Sequence, residues 1–478
     1  MPQFSPRGLV PSRVLTLVMS LLQVLIAAET SRAQQPDAAP VVRVYRPNIA
    51  EEDWSFLQDP ALRTDPFDTI KYIPFREGRS FLTLGGEVRI RPEGFRVHGP
   101  GDTTTRDNYL FQRYLFASDW HIGKGFRLYG EVQSGLLSGK GGSPRPTDKN
   151  TVDLHQGFVE YQSPRGRPRQ LTVRVGRQEL AIGSSRLISA SQGLNVKRSF
   201  DGVSFGVRVG EWVVEGGAAR LVGIGEGVFD DVPNPQQDFW GAAVSRRGFG
   251  VRAGSGGLYY LGVDREVSLY AQGIGSELRH TVGGKFTGTW RSLDFNYDVI
   301  GQWGSFNGAA VRSWAFASEN GVRMRDWPMR PRFSLRINSA AGDHDPDDPR
   351  LESFNPLFPG NSYSGLVGLF GPTNMTDITP AVQLLPMPRL AVVIETPAYL
   401  RTSVHDGLYS IDLRPLLNGR ANDHKFVGTN PGVVVSWSAT PHLSVIGVIS
   451  RFFSGDFLEN TFVDRGFGFY SSSLTYRF

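Results

Sequence analysis

The chain ends on "SSSLTYRF", residues 471–478, and its side chains alternate. Phe478, Tyr476, Leu474 and Tyr470 share one parity, while Arg477, Thr475, Ser473 and Ser471 share the other. A period of two is a β-strand with one apolar face and one polar face. Chain termini ordinarily fray. A last strand ending on an aromatic residue therefore calls for a partner strand beside it and an apolar medium outside it.

The same period recurs all the way upstream. "FLTLGGEVRIR" (81–91), "QLTVRVGRQ" (170–178), "SLDFNYDVIG" (292–301) and "PRFSLRINSA" (331–340) each alternate apolar with polar or small residues. Helical periodicity is nearly absent, and 56 glycines and 31 prolines punctuate the chain. Runs of about ten alternating residues separated by turn residues are the signature of a transmembrane antiparallel β-barrel. Tight turns are expected at Gly123–Gly125, Gly210-Glu211, Arg291-Ser292 and around Met387 between two prolines. Strand starts then fall near residues 81, 108, 126, 152, 170, 198, 212, 238, 257, 278, 292, 310, 332, 376, 390, 430, 442 and 467, eighteen in all. Connections at 92–107, 136–151, 179–197, 222–237, 341–375 and 397–429 are long, and most of those between them are short. That asymmetry places short turns in the periplasm and long loops outside. An even strand number brings the terminal strand back beside the first, with Phe478 at the membrane interface.

Composition agrees with export. Arg7 and Arg13 precede an apolar run from Val14 to Ala28, and Ser31-Arg32-Ala33 offers a small-x-small cleavage site. Residues 1–33 are thus expected to be a signal peptide, 34–80 an N-terminal periplasmic or plug segment, and 81–478 the barrel. The chain has no cysteine, which excludes disulfides and thiolate chemistry. Its net charge of +5 comes from 44 arginines and 7 lysines spread from end to end, unlike the clustered patches of nucleic-acid binders.

Alternation also decides where the arginines point. An arginine on the lipid face at the bilayer midplane costs about 2–4 kcal/mol. In 81–91, Leu82, Leu84, Val88 and Ile90 face lipid, which turns Glu87, Arg89 and Arg91 inward. The same logic sends Arg174, Arg208 and Arg336 into the lumen with Asp294 and Asp298, and Arg113, Arg127 and Arg279 after them. Such a lumen reads in two ways. Guanidinium forks attract anions, or they pair with Glu87, Glu131, Glu160, Asp294 and Asp298 to fill a wide bore.

Catalytic patterns fail on context. Gly202, Ser204 and Gly206 match G-x-S-x-G, but the match lies inside an alternating strand rather than on a strand–turn–helix elbow. Asp343, Asp345 and Asp347 space like a calcium loop, yet Asp348 stands where glycine belongs and Phe354 where glutamate belongs. No cofactor is expected.

Several segments resemble the alginate-export porins of Gram-negative outer membranes: "EDWSFLQDP", "DTIKYIPF", "FLTLGGEVRIR", "VGRQELAIGSSRL", "NVKRSFDGV" and "FNPLFPG". The resemblance implies an eighteen-stranded monomeric barrel whose arginine-rich lumen passes an anionic polyuronate, gated by loops and an internal segment, with periplasmic export partners. Carried across residue by residue, its motifs fall on Gly85, Gly86, Glu87 and Arg89; on Gly176, Arg177, Gln178, Glu179 and Arg186; and on Arg198, Phe200, Asp201 and Gly202. Arg177, Arg186 and Arg198 join the expected pore lining on that basis. The expected cargo is an anionic saccharide such as alginate, or another organic anion. The alternative is a plugged barrel whose long loops bind a partner or surface.

Overall fold

The computed structural model describes residues 43–96, 106–141, 144–164, 166–250, 254–360, 367–368, 370–461 and 466–478. The expected signal peptide, 1–33, lies outside them. Eighteen antiparallel strands pair in chain order and close on themselves. They are β1 (Ser80–Arg96), β2 (Arg106–Ile122), β3 (Phe126–Ser138), β4 (Asn150–Gln162), β5 (Arg169–Gln178), β6 (Phe200–Val209), β7 (Trp212–Gly223), β8 (Gln237–Arg247) and β9 (Ser255–Tyr270). β10 (Gly273–Trp290), β11 (Leu293–Phe306), β12 (Ala309–Arg323), β13 (Arg332–Ala340) and β14 (Met375–Met387) follow. The last four are β15 (Leu390–Glu395 with Ala398–Arg401), β16 (Phe426–Thr429 with Gly432–Ser438), β17 (Leu443–Arg451 with Phe453–Ser454) and β18 (Gly468–Arg477). Pro397 and Pro431, which cannot donate to the ladder, sit at the breaks in β15 and β16.

Each expected strand is present. Two connections on the long-loop rim, Ala271-Gln272 and Asn307-Gly308, are tight turns instead, because β9 to β12 are themselves long. Among the described residues no helix is long and apolar enough to cross a membrane. Burial is inside out. Phe116, Leu128, Val159, Val175, Val203, Val282 and Val299 are exposed, while the alternate positions Leu115, Tyr129, Phe158 and Glu160 are buried. Only a molecule whose outer face meets lipid can afford that pattern.

Closure runs through the chain end. β18 pairs with β1 in the register Glu87↔Arg477 to Arg96↔Gly468. Beyond it, the Gly86 amide donates to the Phe478 carbonyl at 2.9 Å, and the Phe478 amide donates to Gly86 at 3.1 Å. The Phe478 ring then covers Gly86, where a Cβ would lie 2.6 Å from the ring and 2.7 Å from the Leu115 carbonyl. Deleting Phe478 removes two backbone bonds and one half-buried ring, roughly 2–4 kcal/mol together. Gly86→Val should be as damaging, because the Leu115 carbonyl belongs to the wall and cannot move aside. Both variants should show a reduced heat-modifiable folded band on electrophoresis. Full folding of either would remove the terminal pair as the closing element.

Candidate functional site

The lumen is crossed by the chain between β5 and β6. After Gln178 the strand leaves the wall, and residues 179–199 run across the bore. On one side, Gly183 donates to Glu215 of β7 and Ser184 to Asp298 of β11, where the Tyr259 hydroxyl holds the second carboxylate oxygen at 2.7 Å. Arg186 reaches Asn338 of β13 at 3.2 Å. On the other side lies the tip at Ser191–Leu194, closed by a bond from the Leu194 amide to the Ser191 carbonyl.

Three inward arginines hold that tip. Arg89 donates to the carbonyls of Gln192 and Leu194, and Arg113 donates to the same two at 3.0 and 2.9 Å. Arg91 donates to the Gly193 carbonyl. The far edge of Arg113 grips Glu87, which also takes Arg477, while Arg91 pairs with Glu93. Three guanidinium groups and Arg477 thus stand beside two carboxylates, and main-chain oxygens take donors from the terminal nitrogens of all three.

The foot of the crossing segment is a buried charge cluster. Lys197 lies between Glu179 at 2.8 Å and Glu131 at 3.5 Å, with His155 against Glu179 at 3.0 Å. Burial pushes the Glu179 carboxyl up, but Lys197 and His155 outweigh it and hold it at about 2. The N-terminal segment enters here. The Lys197 ammonium donates to the Pro47 carbonyl, Gln156 to Asn48, and Arg127 to the Ala50 carbonyl. Ile49 and Ala50 pack on the inward faces of Leu115, Ala117, Tyr129 and Phe158. Farther along, Asp65 accepts from His442 at 2.8 Å beside Phe67, which touches Phe478.

A second loop, between β13 and β14, packs against the crossing segment. The Ser189 amide donates to the Phe358 carbonyl at 3.0 Å and the Phe358 amide to the Leu187 carbonyl at 2.8 Å, and Phe354, Leu357 and Phe358 join a core with Ile188, Phe200 and Phe239. Arg279 holds the Ser353 carbonyl at 3.1 Å while pairing with Glu277. Arg198 donates to oxygens of Ser189, Ser191 and Pro359. Between the two loops and the wall a small cavity opens near Arg186, Asn338, Asp377 and Tyr399.

The inward residues therefore divide. Arg89, Arg91, Arg113, Arg198 and Arg279 hold loops. Arg127 and Arg174 share Glu160, Arg332 takes Asp294, and Arg336 lies 3.6 Å from Asp377. Arg208, near the short-turn rim, is exposed and has no partner among the described residues. One expected pore residue is corrected. Arg177 has the outward parity of Val173 and Val175, and it binds Asp201, the Leu154 carbonyl and the Asp231 carbonyl. It is a staple of the wall, because Gly176 and Gln178 take the inward positions beside it. Ser204 donates to Gln178 within the sheet. Reading for charge alone missed Lys197, although a lysine inside "NVKRSFDGV" is conspicuous in so arginine-rich a chain.

The sequence profile that describes alginate export matches residues 80–465. The chain belongs to the alginate export family. No curated protein matches it by sequence. In fold it is similar to Pseudomonas aeruginosa OpdK solved with vanillate, at 12% identity and a TM-score of 0.56, over 83% of this chain and 98% of that one. A BenF-like porin from Pseudomonas fluorescens Pf-5 is similar at 11% identity and 0.55, over 83% and 98%. P. aeruginosa OccK11 (OpdR) is similar at 13% and 0.50, over 85% and 97%. Family and fold together make this alginate export barrel a bacterial outer-membrane channel of porin type, not an enzyme.

Two buried carboxyl groups meet at the second loop, Asp343 and Asp406, the first accepting from the Asp345 amide and the second from the Asp343 amide. Burial pushes Asp343 up to about 6, and the nearby charges of Asp406 and Glu352 push the same way against bonds from the Asp345 and Glu352 amides. Burial raises Asp406 as well. A raised carboxyl binds its proton more tightly in the docked loop than in a released one. Docking is therefore fully supported below the ordinary value of 3.8 and loses that support as pH rises through about 6. Hydrogen exchange at residues 342–352 should quicken between about pH 4 and pH 7 beyond the intrinsic rate, and level off above that; Asp343→Asn should flatten the trend. A flat wild-type profile would remove Asp343 from loop docking.

Proposed function

We propose that this barrel passes anionic solutes, with an anionic saccharide such as a polyuronate as its cargo. The observation that carries this is the grip of Arg89, Arg91 and Arg113 on the carbonyls of Gln192, Gly193 and Leu194. A carboxylate adds charge attraction and two-point, bidentate geometry that a single neutral carbonyl cannot offer a guanidinium. A carboxylate entering the bore competes for the same donors and releases the segment across its path. The substrate then supplies the free energy that opens the constriction. The fold relative solved with vanillate, an organic anion, is in keeping with this cargo class.

A second reading, a plugged barrel whose loops bind a partner, draws on the filled lumen. The crossing segment and the N-terminal segment meet at Lys197 and Pro47. Conductance separates the two readings, since a plug stays silent with or without anions.

Reversal potentials across a salt gradient should show anion preference that weakens as salt screens the bore. Oligouronate should block or modulate the current. The pair Arg89→Gln/Arg113→Gln should lose most of that modulation, because about 1.5–3 kcal/mol attends each charged hydrogen bond removed. Cation preference in the wild type, or an unaltered pair, would make these arginines structural counter-ions. A conducting channel indifferent to oligouronate would keep the pore and remove the saccharide.

A further inference from the structure

The outer surface between β14 and β18, near the short turns, departs from a plain lipid face. Met387, Leu390, Val435, Trp437 and Val445 wall a groove of about 400 Å³ that runs onto Gly447. Their outward direction follows from the register Leu390↔Trp437 and Val435↔Gly447, with Trp437 and Val435 exposed. Ser472, opposite Gly447, extends the same low floor, and a Cβ at Gly447 would touch nothing. The groove opens at the turn where Arg389 is exposed and its carbonyl receives the Ser438 amide. The neighbouring turn, whose Met329 carbonyl receives the Leu385 amide, brings exposed Arg325, Trp327 and Arg330 to the same rim.

Farther round that rim the pattern repeats without a groove. Arg291 lies 5.1 Å over the Trp290 ring and Arg246 5.5 Å over the Trp212 ring. Both tryptophans share the outward parity of their strands. Against these cations the rim from β7 to β15 presents only Glu211 and Asp326 among the described turn residues. Arginine beside an interfacial tryptophan fits a phosphate at headgroup level. Side chains aimed outward cannot serve a solute inside the bore.

We propose that this groove and its rim are a binding site for an anionic phospholipid of the periplasmic leaflet. One acyl chain lies along Trp437 and Gly447, and the phosphodiester sits on Arg389 and Arg330. Charge complementarity selects the occupant. Acyl chains fill any groove on a lipid face, but two exposed arginines at its mouth favour a headgroup of net negative charge over a zwitterionic one.

The test is quenching of the purified full barrel by phosphatidylglycerol or phosphatidylcholine brominated on the acyl chain. The signal is the emission lost on Trp437→Phe. Each basic residue near an anionic lipid surface is worth about 1 kcal/mol, or about five-fold in preference. Wild type should therefore prefer the anionic lipid, and Arg330→Gln/Arg389→Gln should quench equally with both. Gly447→Leu should cut quenching by either lipid by filling the floor. Folded band and conductance should be unchanged in all three, which separates lost lipid from lost structure. Equal quenching of wild type by both lipids would overturn the proposal. So would undiminished preference in the double arginine variant, or protection of Trp437 by a co-purifying periplasmic protein in place of lipid.

Discussion

A guanidinium group carries five donors and no acceptor, and a strand in a bilayer offers it only one direction in which to point. That pair of facts organises the interior of this barrel. Arg89, Arg91 and Arg113 stand on adjacent strands, with Arg89 and Arg113 directly paired in register. On their own strands Glu87 and Glu93 pair with them, while Asp119 is taken by Arg127 and Asp107 accepts from the Gly141 amide. Terminal nitrogens left over from those pairs need oxygen, and the carbonyls of the segment between β5 and β6 provide it. The constriction is thus a consequence of satisfying the wall. The same solution recurs where Arg279 holds Ser353 and where Arg401 takes the carbonyls of Val404, Gly419, Asn422 and His424.

Carbonyls and carboxylates play different parts in this arrangement. Where a segment meets the wall at its foot, the partners are ions. Lys197 with Glu131 and Glu179 is buried, and removing one member of such a cluster typically costs about 3–5 kcal/mol. At the tip the partners are neutral and individually weaker. A segment anchored by ions at one end and by exchangeable dipoles at the other can move its tip without detaching. The N-terminal segment touches the fixed end, through Pro47 and Asn48. Its position is thereby tied to the anchor rather than to the moving part.

The wall of this molecule was legible in the sequence because a period of two states both the strand and its facing. Eighteen strands and the inward direction of Arg89, Arg174, Asp298 and Arg336 all follow from it. What those side chains touch was not legible. Arg89 binds main-chain oxygen more than a hundred residues away in sequence, and a carbonyl leaves no trace in residue identity. Asp298 illustrates the same limit: it accepts from the hydroxyls of Ser184 and Tyr259, which residue identity along the strand does not announce. Arg177 erred differently. A family motif placed it in the lumen, whereas its parity with Val175 had already turned it outward.

Arg177 also explains how the wall survives the loss of β5. That strand ends at Gln178, paired with β4 only as far as Gly157, so β4 residues above that point would expose an unpaired edge. Such an edge recruits other strands. Here the chain between β7 and β8 lies along it: the Val152 amide donates to Gly227, and the Phe229 amide donates to Val152. Arg177 fastens the patch by binding β4, β6 and Asp231 at once. The segment that narrows the bore and the segment that mends the wall are therefore two halves of one rearrangement. If the first swings out of the lumen, its foot at Gln178 and the staple beside it need not move, and the barrel stays closed to lipid while its bore opens.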